Sequence, residues 1–205
     1  MIASLIYNTP ELIPTLRSQV PDIYLIDVSD KPLKGCDLRY DSNLLWAQNW
    51  HRLLMETNAF YVWMLNSDIE GFNIKMYNKL VWQLHAIDGF MITPAFNSPH
   101  QLFQPCKKEA TFAVNWIDMA CPVINVAKYR ELGGFDPKFK GYFADVDLCY
   151  RARLKGYDML VDYSLKVNHL GSYTVAKTNK WEQAHAGDSE LIVNKYGKTW
   201  TELCQ

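Results

Sequence analysis

Asp145 stands where a carboxylate can do acid–base work. It opens a helix directly after a loop of glycine and aromatic residues, Gly141-Tyr142-Phe143-Ala144-Asp145. At 3.6 residues per turn it shares a face with Leu148, Cys149 and Ala152, which points it towards the interior or a cleft. A carboxylate among small apolar neighbours is costly unless a site uses it, although simple helix capping is the plainer role and stays open. Asp147 projects to the other side, one turn before Arg151, at the spacing of an i,i+4 ion pair. Asp68, in Asn66-Ser67-Asp68, closes an apolar strand, where an acid can hold a divalent cation bridging a diphosphate; oxygen ligands suit Mg²⁺ or Mn²⁺. The alternative for Asp68 is a turn residue or the cap of the next helix. His169 lies just past another strand, and an imidazole added to oxygen ligands favours Mn²⁺ over Ca²⁺. A structural histidine is the competing reading.

These groups need a scaffold that gathers distant stretches. Residues 2–7 and 23–26 read as buried strands, and 60–65 is a continuous apolar run suited to a central parallel strand covered on both faces. Thr9, Pro10 and Glu11 resemble a helix start, with Thr9 as cap, and that helix ends before Pro21. Residues 43–56 and 71–85 carry helical spacing, the first with Leu45, Asn49, Arg52 and Leu53 on neighbouring turns. Residues 90–93 form a further strand, followed by a polar loop over 97–110. Strand and helix alternate through the first half, which predicts an α/β sandwich on a mostly parallel sheet, in which ligands sit beyond the strands' carboxyl ends. Asn8, Asp27 and residues 66–68 all fall at such ends. Beyond residue 111 the pattern predicts a strand over 112–116, a short helix over 126–132 ended by Gly133-Gly134, the helix over 144–155, two short strands at 159–161 and 165–167, and a terminal helix over 181–196 beside or over the site.

Composition narrows the function classes. The chain has 205 residues, 49% of them hydrophobic, enough for one good core. Its 21 basic and 22 acidic residues leave a net charge of -1, so no general attraction to nucleic acid or anionic lipid follows. Five cysteines, an odd number without a CxxC pair, argue against a disulfide framework or structural zinc and fit reduced thiols in a cytosolic protein. The N-terminal apolar run is too short and lacks the basic residues of a signal peptide. No stretch is long and apolar enough to span a bilayer.

The run Glu131-Leu132-Gly133-Gly134-Phe135-Asp136, then Gly141 through Leu148 to Arg151, followed by Val167-Asn168-His169 and Gly171-Ser172, resembles the family-two-type glycosyltransferases of the GT-A fold, in the branch that includes rhamnosyltransferase-like enzymes. The resemblance extends to residues 2–8, 23–30 and 44–70. It implies one GT-A domain over 1–205: a nucleotide-binding half (1–95), an acceptor and catalytic half (111–172), and a helical tail (173–205). Asn66-Ser67-Asp68 is similar to the family's DxD-type metal motif, with asparagine replacing its first acid. The resemblance implies that Tyr7, Asn8 and Asp27 cradle the nucleoside, that Asn49 and Asn66 lie near the nucleotide, that Asp68 and His169 hold Mn²⁺ or Mg²⁺, that Asp145 is the catalytic base, and that Trp116 and Asp118 shape the acceptor and sugar pocket. Trp116 could stack on a sugar face or pack in the core.

The implied activity is metal-dependent transfer of a sugar from a nucleoside-diphosphate sugar, UDP foremost, to a saccharide or other hydroxyl acceptor. An inverting single displacement is the family default, with a retaining course as the alternative. The implied location is cytoplasmic, or peripheral at a membrane if the acceptor is lipid-linked. The family usually has Glu-Asp where this chain has Ala144-Asp145, which keeps open an inactive nucleotide-sugar-binding module. A nucleotidyltransferase would need a glycine-rich loop with Lys or Arg after the first strand, and Tyr7-Asn8-Thr9-Pro10 is not one.

Overall fold

A computed structural model describes residues 1–40, 45–97, 109–140, 142–171 and 181–205. The start of the helix expected from residue 43, most of the 97–110 loop, Gly141 and Ser172 lie outside the described residues. Among the described residues the centre of the fold is a nine-stranded sheet in the order β3-β2-β1-β4-β8-β6-β9-β5, with β7 also paired to β9. Its strands are β1 (Ile2–Ile6), β2 (Tyr24–Asp27), β3 (Leu38–Arg39), β4 (Tyr61–Asn66), β5 (Ile69–Glu70), β6 (Met91–Phe96), β7 (Thr111–Ala113), β8 (Val123–Asn125) and β9 (Met159–His169). Strands β3, β2, β1 and β4 run parallel, β8 runs antiparallel to β4 and β6, and β6 and β9 run parallel. With β5 and β7 antiparallel to β9, six of the nine strands share one direction.

The apolar runs of β1 and β4 are continuous because both faces are covered. Ala3 and Leu5 with Val62 and Met64 face one core, while Ile2 and Ile6 with Trp63 and Leu65 face the other, as the two-residue alternation of a strand requires. The first core is closed by α2 (Trp46–Glu56), α4 (Val126–Glu131) and α5 (Ala144–Leu154). The second is closed by α1 (Ile13–Gln19) and α3 (Ile74–Ala86). Two C-terminal helices, α6 (Trp181–Tyr196) and α7 (Trp200–Cys204), bury Ile192 and Leu203 against the first core.

Three local expectations change. Thr9 precedes a 3₁₀ turn, Pro10–Leu12, but its hydroxyl makes no capping bond, and the α-helix begins only at Ile13. Pro14 is the reason: it lacks the N–H that a helix running from Pro10 would need at that position. The two strands expected at 159–161 and 165–167 are one strand. Its register against β6 shifts between Pro94 and Ala95, so residues 163–165 have no opposite number on β6. Buried Asp162 holds the bulge by accepting the Ser164 N–H at 2.9 Å and pairing with Lys79 at 3.0 Å. The strand expected over 112–116 stops at Ala113, which frees Trp116 and Asp118 for a loop.

Gly133 and Gly134 end α4 in the left-handed region, with φ of 76° and 69°. Their N–H groups bond Arg130 and Tyr129 carbonyls at 2.9 and 3.0 Å. A Cβ on Gly134 would lie 2.7 Å from His51 Cε1 and 2.9 Å from Tyr129 Cε1, whereas one on Gly133 meets nothing within 4 Å. This turn lets the chain pass closely over α2 and swing towards α5.

Candidate functional site

Asp145 is positioned from three directions. Asp188 of α6 accepts the backbone N–H of Lys140 at 3.0 Å and of Tyr142 at 2.8 Å, fixing the loop before α5. Phe143 then takes a left-handed conformation, φ 58°, and turns the chain into the helix. Asp145 falls in the first turn, where its carboxylate accepts the Trp116 indole N–H at 3.1 Å. Burial, followed by the neighbouring Asp118 charge, pushes its pKa up to about 7. The N–H groups of Val146, Trp116 and Asp145 itself oppose the rise without cancelling it. Asp145 is not the N-cap, a position Phe143 takes; it lies in the first turn, where its carboxylate accepts N–H groups of that turn.

Asp147 takes the other face, as its spacing predicts. It is fully buried, pairs with Arg151 at 2.6 Å, and also accepts Lys195 Nζ and, at 2.6 Å, the Tyr196 hydroxyl of α6. Arg151 in turn donates to the carbonyls of Leu132 and Gly134 at 2.6 and 2.7 Å. One ion cluster therefore locks α5 to the diglycine turn and to the tail.

The second group of donors comes together across a strand pair. Strand β5 meets β9 with Ile69 opposite His169, and the Leu170 N–H bonds the Asp68 carbonyl at 3.0 Å. His169 Nε2 lies 3.4 Å from Asp68 Oδ1, and both side chains are largely buried. Burial lowers the His169 pKa, but the Asp68 hydrogen bond and charge, helped by Asp118, outweigh it and raise the value. Asp118 is pushed up by burial, drawn back by His169 and by the Ala120 N–H it accepts at 2.9 Å, and raised further by Asp68. Asp118 thus feels both centres, and its charge links Asp145 to the Asp68–His169 pair. At this separation Asp68 and His169 hydrogen-bond each other directly. Among the described residues no group of three or more His, Cys, Asp or Glu could hold a metal. A cation held by one or two protein groups takes its remaining ligands from phosphate oxygens and water.

Asp145 and Asp118 line a cavity of about 320 Å³. Asn66, which accepts the Trp46 indole N–H at 3.2 Å, lines it too. Its aromatic walls are Trp46, Trp116, Tyr142, Phe143 and Trp200. Phe143 and Trp200 stack at 5.6 Å with an interplanar angle of 25°. Of the residues singled out in the sequence, Asn66, Trp116, Asp118 and Asp145 meet in this cavity. Asp68 and His169 do not line it; their charges act on Asp118.

Tyr7, Asn8 and Asp27 form a separate cluster at the carboxyl ends of β1 and β2. Asn8, in the left-handed region with φ 53°, donates to Asp30 at 2.8 Å, and its own N–H bonds Ser29 Oγ at 2.7 Å. The Tyr7 hydroxyl reaches Asp30 at 3.5 Å. Asp27 is 1% exposed. It accepts the Ser29 and Leu33 N–H groups, each at 2.9 Å, and pairs with Arg39. Burial raises its pKa, but those donors outweigh it and hold the carboxyl below its ordinary value. Asn49 is also 1% exposed and donates one turn back to the Leu45 carbonyl at 3.2 Å; neither it nor Asp27 lines the cavity. Sequence reasoning missed Trp46, Trp200, Asp30 and Asp188. Trp46 directly follows Leu45 and had a signal, a tryptophan opening a helix; the others depend on long-range packing.

No protein-family model matches the sequence, and no curated protein matches it. Solved structures do. The crystal structure of GalNAc-T7 with UDP, GalNAc and Mn²⁺ superposes with a TM-score of 0.64 at 13% identity, covering 82% of this chain and 43% of that one. TarS 1–349 from S. aureus superposes with a TM-score of 0.59 at 10% identity, covering 86% of this chain and 61% of that one. The chain spans about half the length of these two structures. The likeness establishes the fold: a GT-A sheet of α/β type, flanked by helices.

Proposed function

We propose that this chain is the catalytic domain of a metal-dependent glycosyltransferase that moves a sugar from a nucleoside-diphosphate sugar to a hydroxyl acceptor. The observation that carries the proposal is a half-buried carboxylate, Asp145, held by the Trp116 indole N–H in an aromatic cavity and with its pKa raised to about 7, beside Asp118, whose charge feels an Asp–His pair on a GT-A sheet. UDP is the favoured nucleotide, because GalNAc-T7, which this chain resembles in fold, was crystallised with UDP, GalNAc and Mn²⁺.

In this reading the nucleoside occupies the ends of β1 and β2, with Tyr7 and Asn8 at its rim and Asp27 holding the loop beneath. Asn66 lies near the nucleotide, Asn49 stiffens the start of α2 through the Leu45 carbonyl, and Trp116 and Asp118 shape the acceptor and sugar pocket. Asp68 and His169 would hold Mn²⁺ or Mg²⁺, which supplies positive charge for the leaving diphosphate. Asp145 accepts the proton of the acceptor hydroxyl as that oxygen bonds to the anomeric carbon, while the bond from that carbon to the diphosphate oxygen breaks. A base with a pKa near 7 is matched to that task at neutral pH. The course is an inverting single displacement. Trp116 keeps the Asp145 carboxylate oriented through its indole N–H.

Ala144 is buried, and it stands where the family that the sequence resembles usually has Glu; this favours one second reading, an inactive module that binds the nucleotide sugar without turnover. No helix among the described residues is long and apolar enough to cross a membrane; the proposed setting is the cytoplasm, at the membrane surface where the acceptor is lipid-linked. A thermal-shift panel of UDP-, dTDP- and GDP-sugars, with and without Mn²⁺, tests the donor assignment, since a ligand of the folded form raises its melting point. Stabilisation by UDP-sugars only with Mn²⁺ is expected. Absence of any metal-dependent shift across the panel refutes the proposal, and binding without transfer or hydrolysis selects the inactive module.

A further inference from the structure

We infer that the aromatic end of the cavity is an acceptor subsite for a neutral pyranose ring, and that Trp200, delivered by the C-terminal helices, is its specificity-determining wall. The inference rests on the proposed transfer reaction and names the acceptor class that the reaction leaves open.

The tail that carries Trp200 is part of the site's frame. Helix α6 is tied to the 140–142 loop through Asp188 and to buried Asp147 through Lys195 and Tyr196. Helix α7 is fastened by the Arg153 guanidinium, which donates to the Leu203 carbonyl at 2.7 Å. Thr199 and Glu202 form a reciprocal cap at its first turn, where Trp200 is the first residue. Trp200 is therefore held by elements at both ends and is not a loose terminal side chain. It stacks on Phe143, two residues before Asp145, so the aromatic slab ends beside the carboxylate.

The lining chemistry selects the occupant. A pyranose presents a C–H face that packs on aromatic rings and a rim of hydroxyls that needs a few placed polar groups. Tyr142, Phe143, Trp116 and Trp200 supply the first; Asp145 and Asp118 supply the second. The volume lies at the small end of ligand pockets, which run to roughly 300–1,000 Å³, and suits a sugar unit. Among the described residues lining it there are two carboxylates and no Lys or Arg. A phosphorylated or uronate ring would bring like charge against Asp145 and Asp118, so the acceptor ring is neutral.

The test titrates methyl β-D-glucopyranoside, methyl β-D-galactopyranoside and methyl β-D-glucuronide into the full chain with UDP and Mn²⁺ present, read by saturation-transfer NMR and by the indole N–H resonances of Trp116 and Trp200. At least one neutral glycoside is expected to bind and to move both indole signals, while the glucuronide does not. Trp200→Ala should weaken that binding roughly fivefold or more, the effect of losing one aromatic contact, and Trp200→Phe should restore most of it. The UDP–Mn²⁺ thermal shift should stay as in the wild type. Unmoved indole signals in the wild type, equal binding by Trp200→Ala, or equal binding of the glucuronide overturns the inference, and the wild-type measurement decides even if Trp200→Ala does not fold. The two readings fail separately: UDP–Mn²⁺ binding without any glycoside binding removes the subsite alone, and glycoside binding without a UDP–Mn²⁺ shift removes the transfer reading alone.

Discussion

Replacing Asp145 by asparagine should stabilise the protein at alkaline pH while abolishing transfer. The reasoning runs through proton linkage. In the folded chain Asp145 titrates at about 7, against an ordinary value of 3.8, which is roughly a thousandfold tighter proton binding, or about 4 kcal/mol. Because the folded form binds the proton more tightly than the unfolded chain, stability falls as pH rises from about 4 to about 7, and the whole cost is present above that window. Asp145 is partly open to the cavity, so water screens some of this; we take about half, near 2 kcal/mol. For a domain of this size that corresponds to about 4–8 °C in melting temperature. Asparagine keeps the shape and can still accept the Trp116 indole N–H, but it carries no charge. Thermal denaturation of both proteins at pH 4, 6 and 8 should give curves that coincide at the lowest pH and separate progressively, with the variant the more stable. A constant offset at every pH, or a less stable variant at pH 8, refutes the claim that Asp145 is a charge held against burial.

Trp116→Phe removes a donor that favours the ionised carboxylate, so the Asp145 pKa should climb further; the acidic limb of the kcat/KM profile should move about one unit to higher pH, and an unmoved limb would detach Trp116 from the base. Asp68→Ala should eliminate the Mn²⁺ dependence of UDP-sugar binding in calorimetry, together with turnover. Full activity of that variant in excess chelator is incompatible with a cation at the Asp68–His169 pair. Gly134→Ala should cost more than 2 kcal/mol in urea unfolding, because it combines left-handed backbone with the His51 and Tyr129 contacts, whereas Gly133→Ala, with open space around it, should cost about 1 kcal/mol. Equal costs would mean that the close approach to α2 does not matter.

The local part of this molecule was legible, and the long-range part was not. The continuous apolar runs of β1 and β4 announced a sheet covered on both faces, and helical spacing put Asp145 and Asp147 on opposite sides of α5, where the structure has them. The Asp147–Arg151 pair followed from spacing alone; its partners Lys195 and Tyr196 did not, since they arrive from nearly fifty residues away. Strand β8 was missed because three residues after Pro122 carry too little pattern, and β5 and β3 have only two each. The polar residues Asp162 and Ser164 hid the continuity of β9, because a bulge looks like a break when only the sequence is read. Trp200 lies beyond the helix that the pattern predicts over 181–196. Its place in the cavity is set by how α7 docks, which no local rule encodes.

Residues 68 and 169 owe their adjacency to the pairing of β5 with β9, a ladder two residues long. Side chains alternate along a strand, so a slip of a single position would present Asn168 or Leu170 to Asp68 in place of the imidazole. The bond from Leu170 to the Asp68 carbonyl thus gauges the register of the two side chains. Substitutions that loosen this seam should part the Asp68–His169 pair, and with it the cation site proposed there, before they change whether the protein folds.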